Sequence, residues 1–153
     1  MAKRFRHLGQ EWEAVGTGTG HGVGFGYVPE VDRWGVIFRS ISQPEKGEYR
    51  GTMSKADPTA LEDDELKRIL EEVLVIAGID RSNYTWRTAQ GIAAEAHIPL
   101  DRVLQILDTT AEADVIQADQ PNDIGHVLYT TRHHFVKTTG DVSKRYRGVE
   151  RST

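Results

Sequence analysis

The chain has 153 residues, 38% hydrophobic and 27% charged, with no cysteine and a formal net charge of −4. That length fits one domain, or one domain with a small appendage, and the composition is that of a folded chain and not a disordered one. Disulfide frameworks and thiolate metal sites are excluded, and no apolar run reaches the roughly eighteen residues that a membrane span needs.

The basic N-terminus (Lys3, Arg4, Arg6) has no apolar segment behind it, which removes the signal-peptide reading and leaves a cytoplasmic location as the expectation. The small net charge hides a segregation. Residues 11–125 hold ten basic against twenty-one acidic side chains, whereas residues 126–153 hold six basic against two acidic. The body is acidic and both ends are basic, a pattern shared by nucleic-acid arms and by plain solvated termini.

In chain order, Glu11–Val15 alternates as a first strand. From Gly16 to Gly26 every second residue is glycine, which predicts either a strand with one bare face, open to close approach by another backbone or a ligand, or a loop. Strict alternation never supplies the third glycine of a dinucleotide fingerprint, and no Gly-Lys-Ser/Thr follows for a nucleotide triphosphate. Arg33–Ile41 is β-branched and aromatic, and turn-rich segments on both sides place it in a meander between Phe25–Val28 and Glu48–Met53. Trp34, Val36 and Phe38 share a face that such a small sheet must cover with a helix. Trp12, Phe25, Tyr27, Trp34 and Phe38 read as core in preference to a base-stacking platform.

After Pro58, Thr59 and Glu62 form a capping-box pattern for a helix over 60–77, with Leu66, Ile69, Leu70, Val73, Leu74 and Ala77 as its stripe and Gly78 as its stop. The acidic run Glu62–Glu65 is explained by the helix dipole without a metal. Thr88 then caps a short helix carrying Ile92, Ala93 and Ala96, His97 turns the chain, and Pro99 opens another with Leu100, Val103, Leu104 and Leu107. Val115–Ala118 and His126–Thr131 flank the turn 119–125 as a hairpin.

These residues resemble the winged helix-turn-helix superfamily over roughly 60–135, on Ile92-Ala93, Ala96, Ile98, Val103, Leu107 and the hairpin. The resemblance implies that the helix at 60–77 packs behind, that the helix at 99–109 enters the major groove of double-stranded DNA and that the hairpin is the wing. His97 stands where the family usually has glycine, and histidine tolerates the left-handed turn. On that reading Arg102 and Gln105 meet base edges, while Arg132, His134, Lys137, Lys144, Arg145 and Arg147 meet phosphates, and a homodimer would read paired half-sites. Against it, Leu100–Asp123 holds six carboxylates and a single cation, Arg102. An acidic winged helix docking on a basic protein is the alternative.

No zinc-protease spacing or serine elbow exists; His133 and His134, taken as strand neighbours, point to opposite faces, and no metal or cofactor is expected. His21, with Asp32 or Glu30, is the first place to look if the protein is an enzyme, but the expectation is that it is not. The expected fold is α+β: a β-meander (1–57) packed on a winged helix-turn-helix domain (58–135), followed by a basic tail (136–153).

Overall fold

A computed structural model describes the backbone of residues 2–23, 30–110 and 113–140, and their side chains apart from those of 21–23 and 30–32. The architecture is α+β: an antiparallel four-stranded sheet, then four α-helices and a second, three-stranded sheet. The chain divides into two compact units, 1–73 and 74–153.

In the first unit, β1 (Ala2–His7), β2 (Gln10–Val23), β3 (Glu30–Ser40) and β4 (Glu48–Met53) follow one another as neighbours. Strand β1 was not expected from the sequence. It pairs with β2 from Ala2↔Val15 to His7↔Gln10 across a two-residue turn in which Leu8 (φ 55°) and Gly9 (φ 72°) are both left-handed. Such turns match the twist of the flanking strands, but their usual signal is Asn-Gly, and a leucine in the first position conceals it.

The alternating glycines belong to a strand as far as Val23; Gly24 and Gly26 lie outside the described residues. Between Gly16↔Val36 and Gly20↔Trp34, β2 advances four residues while β3 advances two, so β2 bulges. Gly18 sits in the bulge at φ 75°, a conformation that glycine adopts without the Cβ penalty. A Cβ on Gly16 would come within 2.8 Å of the Ala56 carbonyl oxygen. The bare position at Gly16 is thus filled by the protein's own backbone.

Phe5, Trp12, Ala14, Val36, Phe38 and Met53 bury the inner face, and Phe5 meets Phe38 edge-on at 6.1 Å. The predicted helical cover exists: the first half of α1 (Asp63–Asp80) buries Leu66, Ile69, Leu70 and Val73, and a Cβ on Gly51 would touch the Val73 methyl at 3.1 Å. Polar clasps hold the edge, with His7 Nε2 2.8 Å from Glu71 Oε2 and Lys3 Nζ donating to Leu61 O at 2.6 Å. The Thr59–Glu62 capping box is not formed. Asp57 instead accepts from Thr59 N at 2.9 Å and caps a 3-10 turn at Pro58–Ala60, and α1 begins after it, at Asp63.

In the second unit, the latter half of α1 is followed by β5 (Arg87–Thr88), α2 (Ala89–Ala96), α3 (Leu100–Thr109), β6 (Val115–Gln117), β7 (Leu128–Thr131) and α4 (Arg132–Thr139). The sheet order is β5-β7-β6, all antiparallel. Gly78 does not stop α1, which runs two residues further; it lies inside the helix because Ile92 of α2 would approach a Cβ there at 3.3 Å. Val75, Ile76, Ile79, Ile92, Ile98, Val103, Ile106 and Ile116 make the core.

Residues 132–139 are helical and not the start of a tail. Thr131 Oγ1 accepts from His134 N at 3.0 Å, and Gly140 closes the helix at φ 70°. His133 and His134 are therefore helix neighbours, and the strand geometry expected for them is corrected. Among the described residues no helix is long and apolar enough to cross a membrane.

Candidate interaction face

The turn between α2 and α3 is built as its sequence predicts. Thr88 Oγ1 accepts from Gly91 N at 3.0 Å, His97 is left-handed at φ 59°, ψ 36°, and Ile98 N donates to Ala93 O at 3.2 Å. Pro99 stands at the start of α3. Arg87 binds this region from within: its Nη1 donates to Gly78 O at 2.8 Å and lies 3.6 Å from Glu95, so the guanidinium is part of the packing.

Helix α3 does not bury the stripe that its leucines suggest. Val103, Ile106 and Leu107 face the core, whereas Leu100 and Leu104 remain 39% and 43% exposed. Ile106 draws the buried arc to one side and leaves the two leucines, one turn apart, on its margin. Asp101, Gln105 and Asp108 are exposed beside them. Arg102 Nη1 donates to Gln105 Oε1 at 3.0 Å, so the two residues expected to read bases are brought together.

Among the described residues expected to hold phosphate, Arg132 and His134 are engaged within the protein. Arg132 Nη2 lies 3.2 Å from Asp114 Oδ2, and its backbone N–H donates to Asp114 O at 2.9 Å. His134 is 1% exposed, with Nε2 donating to the Tyr84 carbonyl at 2.8 Å. Buried in this way it has no surface to offer DNA, and its assignment as a DNA contact is corrected. Lys137 is exposed in the last turn of α4. Lys144, Arg145 and Arg147 lie outside the described residues.

The hairpin loop is fixed by Asn122, whose Oδ1 accepts from Ile124 N at 3.1 Å and His126 N at 2.9 Å, with Gly125 left-handed at φ 85°. Ile124 stands 74% exposed at its tip. Between α3 and strands β6 and β7 lies a hollow of about 190 Å³ lined by Leu104, Leu107, Asp108, Val115, Gln117 and Tyr129. Sequence reading missed it because its walls come from three elements; from the sequence Asp108 is one carboxylate of an acidic helix, unfavourable to DNA and suited to a basic partner.

A second hollow, of about 430 Å³ in the first unit, is edged by Arg39 and Glu48, which bind each other. Of the suspected enzymatic trio, His21, Glu30 and Asp32, the side chains lie outside those described. Among the described residues no group of three or more histidines and carboxylates could hold a metal. No family model, no curated protein and no solved structure matches the chain.

Proposed function

We infer that residues 74–140 form a winged-helix-type docking module without enzymatic activity, which binds a basic protein segment through the outer face of α3. The reading is carried by one observation: Leu100 and Leu104 stand exposed on α3 beside the carboxylates of Asp101 and Asp108. Apolar side chains flanked by acid suit a partner segment that carries apolar and basic residues on the same face, two residues apart in an extended chain. DNA is disfavoured at such a surface, because phosphate attraction supplies most of the non-specific affinity and these charges repel it. A helix, two further helices joined by a tight turn and a hairpin support the winged-helix comparison.

The test uses the full chain and a nonapeptide whose odd-numbered positions carry leucine and arginine in turn, with serine between them, so that both side chains share one face, in titration calorimetry. Binding that is lost on charge reversal at Asp101 and Asp108 supports the reading; unchanged or absent binding sinks it. Double-stranded DNA is the second reading, favoured by the Arg102–Gln105 pair, since guanidinium and amide groups both read base edges in the major groove. It draws its phosphate contacts from Lys137 and from Lys144, Arg145 and Arg147, and duplex affinity should then fall steeply with salt.

A further inference from the structure

We propose that the hollow between α3 and the hairpin strands receives one arginine side chain of the partner, an inference that rests on the protein-docking reading above. Its size comes first. At about 190 Å³ it lies below the roughly 300 Å³ at which small-molecule and cofactor pockets begin, yet it admits a single long side chain.

Leu104, Leu107, Val115 and Tyr129 border the hollow, but most of the surface it presents is polar, which suits a hydrogen-bonding head group over an apolar side chain. Asp108 and Gln117 supply the polar groups, and neither side chain has a hydrogen-bond or ion-pair partner among the described residues. A carboxylate and an amide oxygen on one small hollow are two acceptors for one donor group. Guanidinium presents several N–H donors in a fixed plane and is weakly hydrated, so it fits such a pair better than the compact ammonium of lysine.

The neighbouring surface extends the argument. Leu104 both lines the hollow and stands exposed on α3, one helical turn from Leu100. A segment that places arginine in the hollow thus sets the apolar residue on its same face against these leucines, which defines the recognised element as an arginine with an apolar side chain two residues away in an extended chain.

The hollow's residues belong to well-supported structure. Gln117 pairs with Tyr129 in the β6–β7 ladder, Val115 pairs with Thr131, and Leu107 is 6% exposed in the core. The walls are therefore held before any partner arrives, which lowers the ordering cost of binding.

The experiment follows amide resonances of the isotopically labelled full chain during titration with N-acetyl-arginine amide, and separately with the N-acetyl-citrulline amide, which keeps the shape and removes the charge. Saturable shifts confined to Leu104, Asp108, Val115, Gln117 and Tyr129 with arginine, and at least about tenfold weaker binding of citrulline, are expected from loss of a charge-assisted pair. Asp108→Asn should weaken the arginine response by at least about tenfold, and Gln117→Leu by a few-fold, with thermal melts confirming that both variants fold. No shifts at these positions, or equal response to citrulline, overturns the inference. The leucine–arginine nonapeptide separates the two levels. If it binds through Asp101, Asp108 and Leu100 but ignores Gln117→Leu and leaves the Val115 and Gln117 resonances unmoved, the hollow falls and the docking face stands; if it does not bind at all, both fall.

Discussion

Arg132 and Asp114 are joined twice, by a side-chain ion pair at 3.2 Å and by the Arg132 N–H on the Asp114 carbonyl at 2.9 Å. The contact ties the first residue of α4 to the residue before β6, so a cation that the sequence offers to DNA serves the protein's own closure. Both side chains are substantially exposed, at 43% and 65%, which limits the worth of the pair. Arg132→Ala and Asp114→Ala should each cost up to about 1 kcal/mol, and a double-mutant cycle in urea should give a coupling below that value. A coupling of several kcal/mol would contradict the screened geometry.

His134 joins α4 to the loop before β5 through Tyr84, and its buried Nδ1 has no partner among the described residues. Because a carbonyl only accepts, the proton must sit on Nε2. Replacing this side chain with alanine opens a cavity and strands the carbonyl, so His134→Ala should destabilise the second unit by about 2–4 kcal/mol. Peptide affinity of the folded fraction should not change. Weaker peptide or duplex binding at unchanged stability would restore His134 to the surface role that its burial denies.

How much of this was legible beforehand differs by element. The cap at Thr88, the turn at His97 and the burial of Val36 and Phe38 follow from local chemistry, and the sequence carries that chemistry openly. Helix α4 was also signalled, by Thr131 and Gly140 at its two ends, but eight residues rich in histidine and β-branched side chains make a weak helical pattern. The spacing that groups Leu100, Val103, Leu104 and Leu107 in one stripe does not say where the buried arc is centred; packing of Ile106 decides that and leaves Leu100 and Leu104 exposed. The hollow at Asp108 was illegible for a deeper reason, since it exists only once β6, β7 and α3 are brought together.

The glycine alternation yields a prediction that separates structure from ligand contact. At Gly16 an added Cβ meets the Ala56 backbone oxygen at 2.8 Å, and backbone cannot swing away as a side chain would. Gly16→Ala should therefore destabilise the first unit by about 1–3 kcal/mol in chemical denaturation. An unchanged midpoint would mean that the 55–58 loop yields freely.

Acid should weaken the first unit by a stated route. The hydrogen bond from Arg39, and then its charge, hold the Glu48 carboxyl below the usual range, and the backbone N–H of Thr59 does the same for Asp57. A depressed folded-state value means stability that is present above the unfolded-state pKa of about 4 and is lost as pH falls through the folded one. The melting-temperature advantage of the wild type over Glu48→Gln should accordingly be constant near neutrality and shrink below about pH 4. An advantage that persists to the lowest pH would assign Glu48 a packing role instead.

The docking face is tested most directly by fluorescence anisotropy of the labelled leucine–arginine nonapeptide on the full chain, with a duplex DNA as competitor at about 50 mM salt. Leu100→Ser/Leu104→Ser is the decisive variant, since two exposed side chains can change with little effect on folding. The account predicts saturable peptide binding that the variant weakens by about tenfold or more and that duplex does not displace. Peptide binding indifferent to both leucines, with duplex bound more tightly and released steeply by salt, would contradict it.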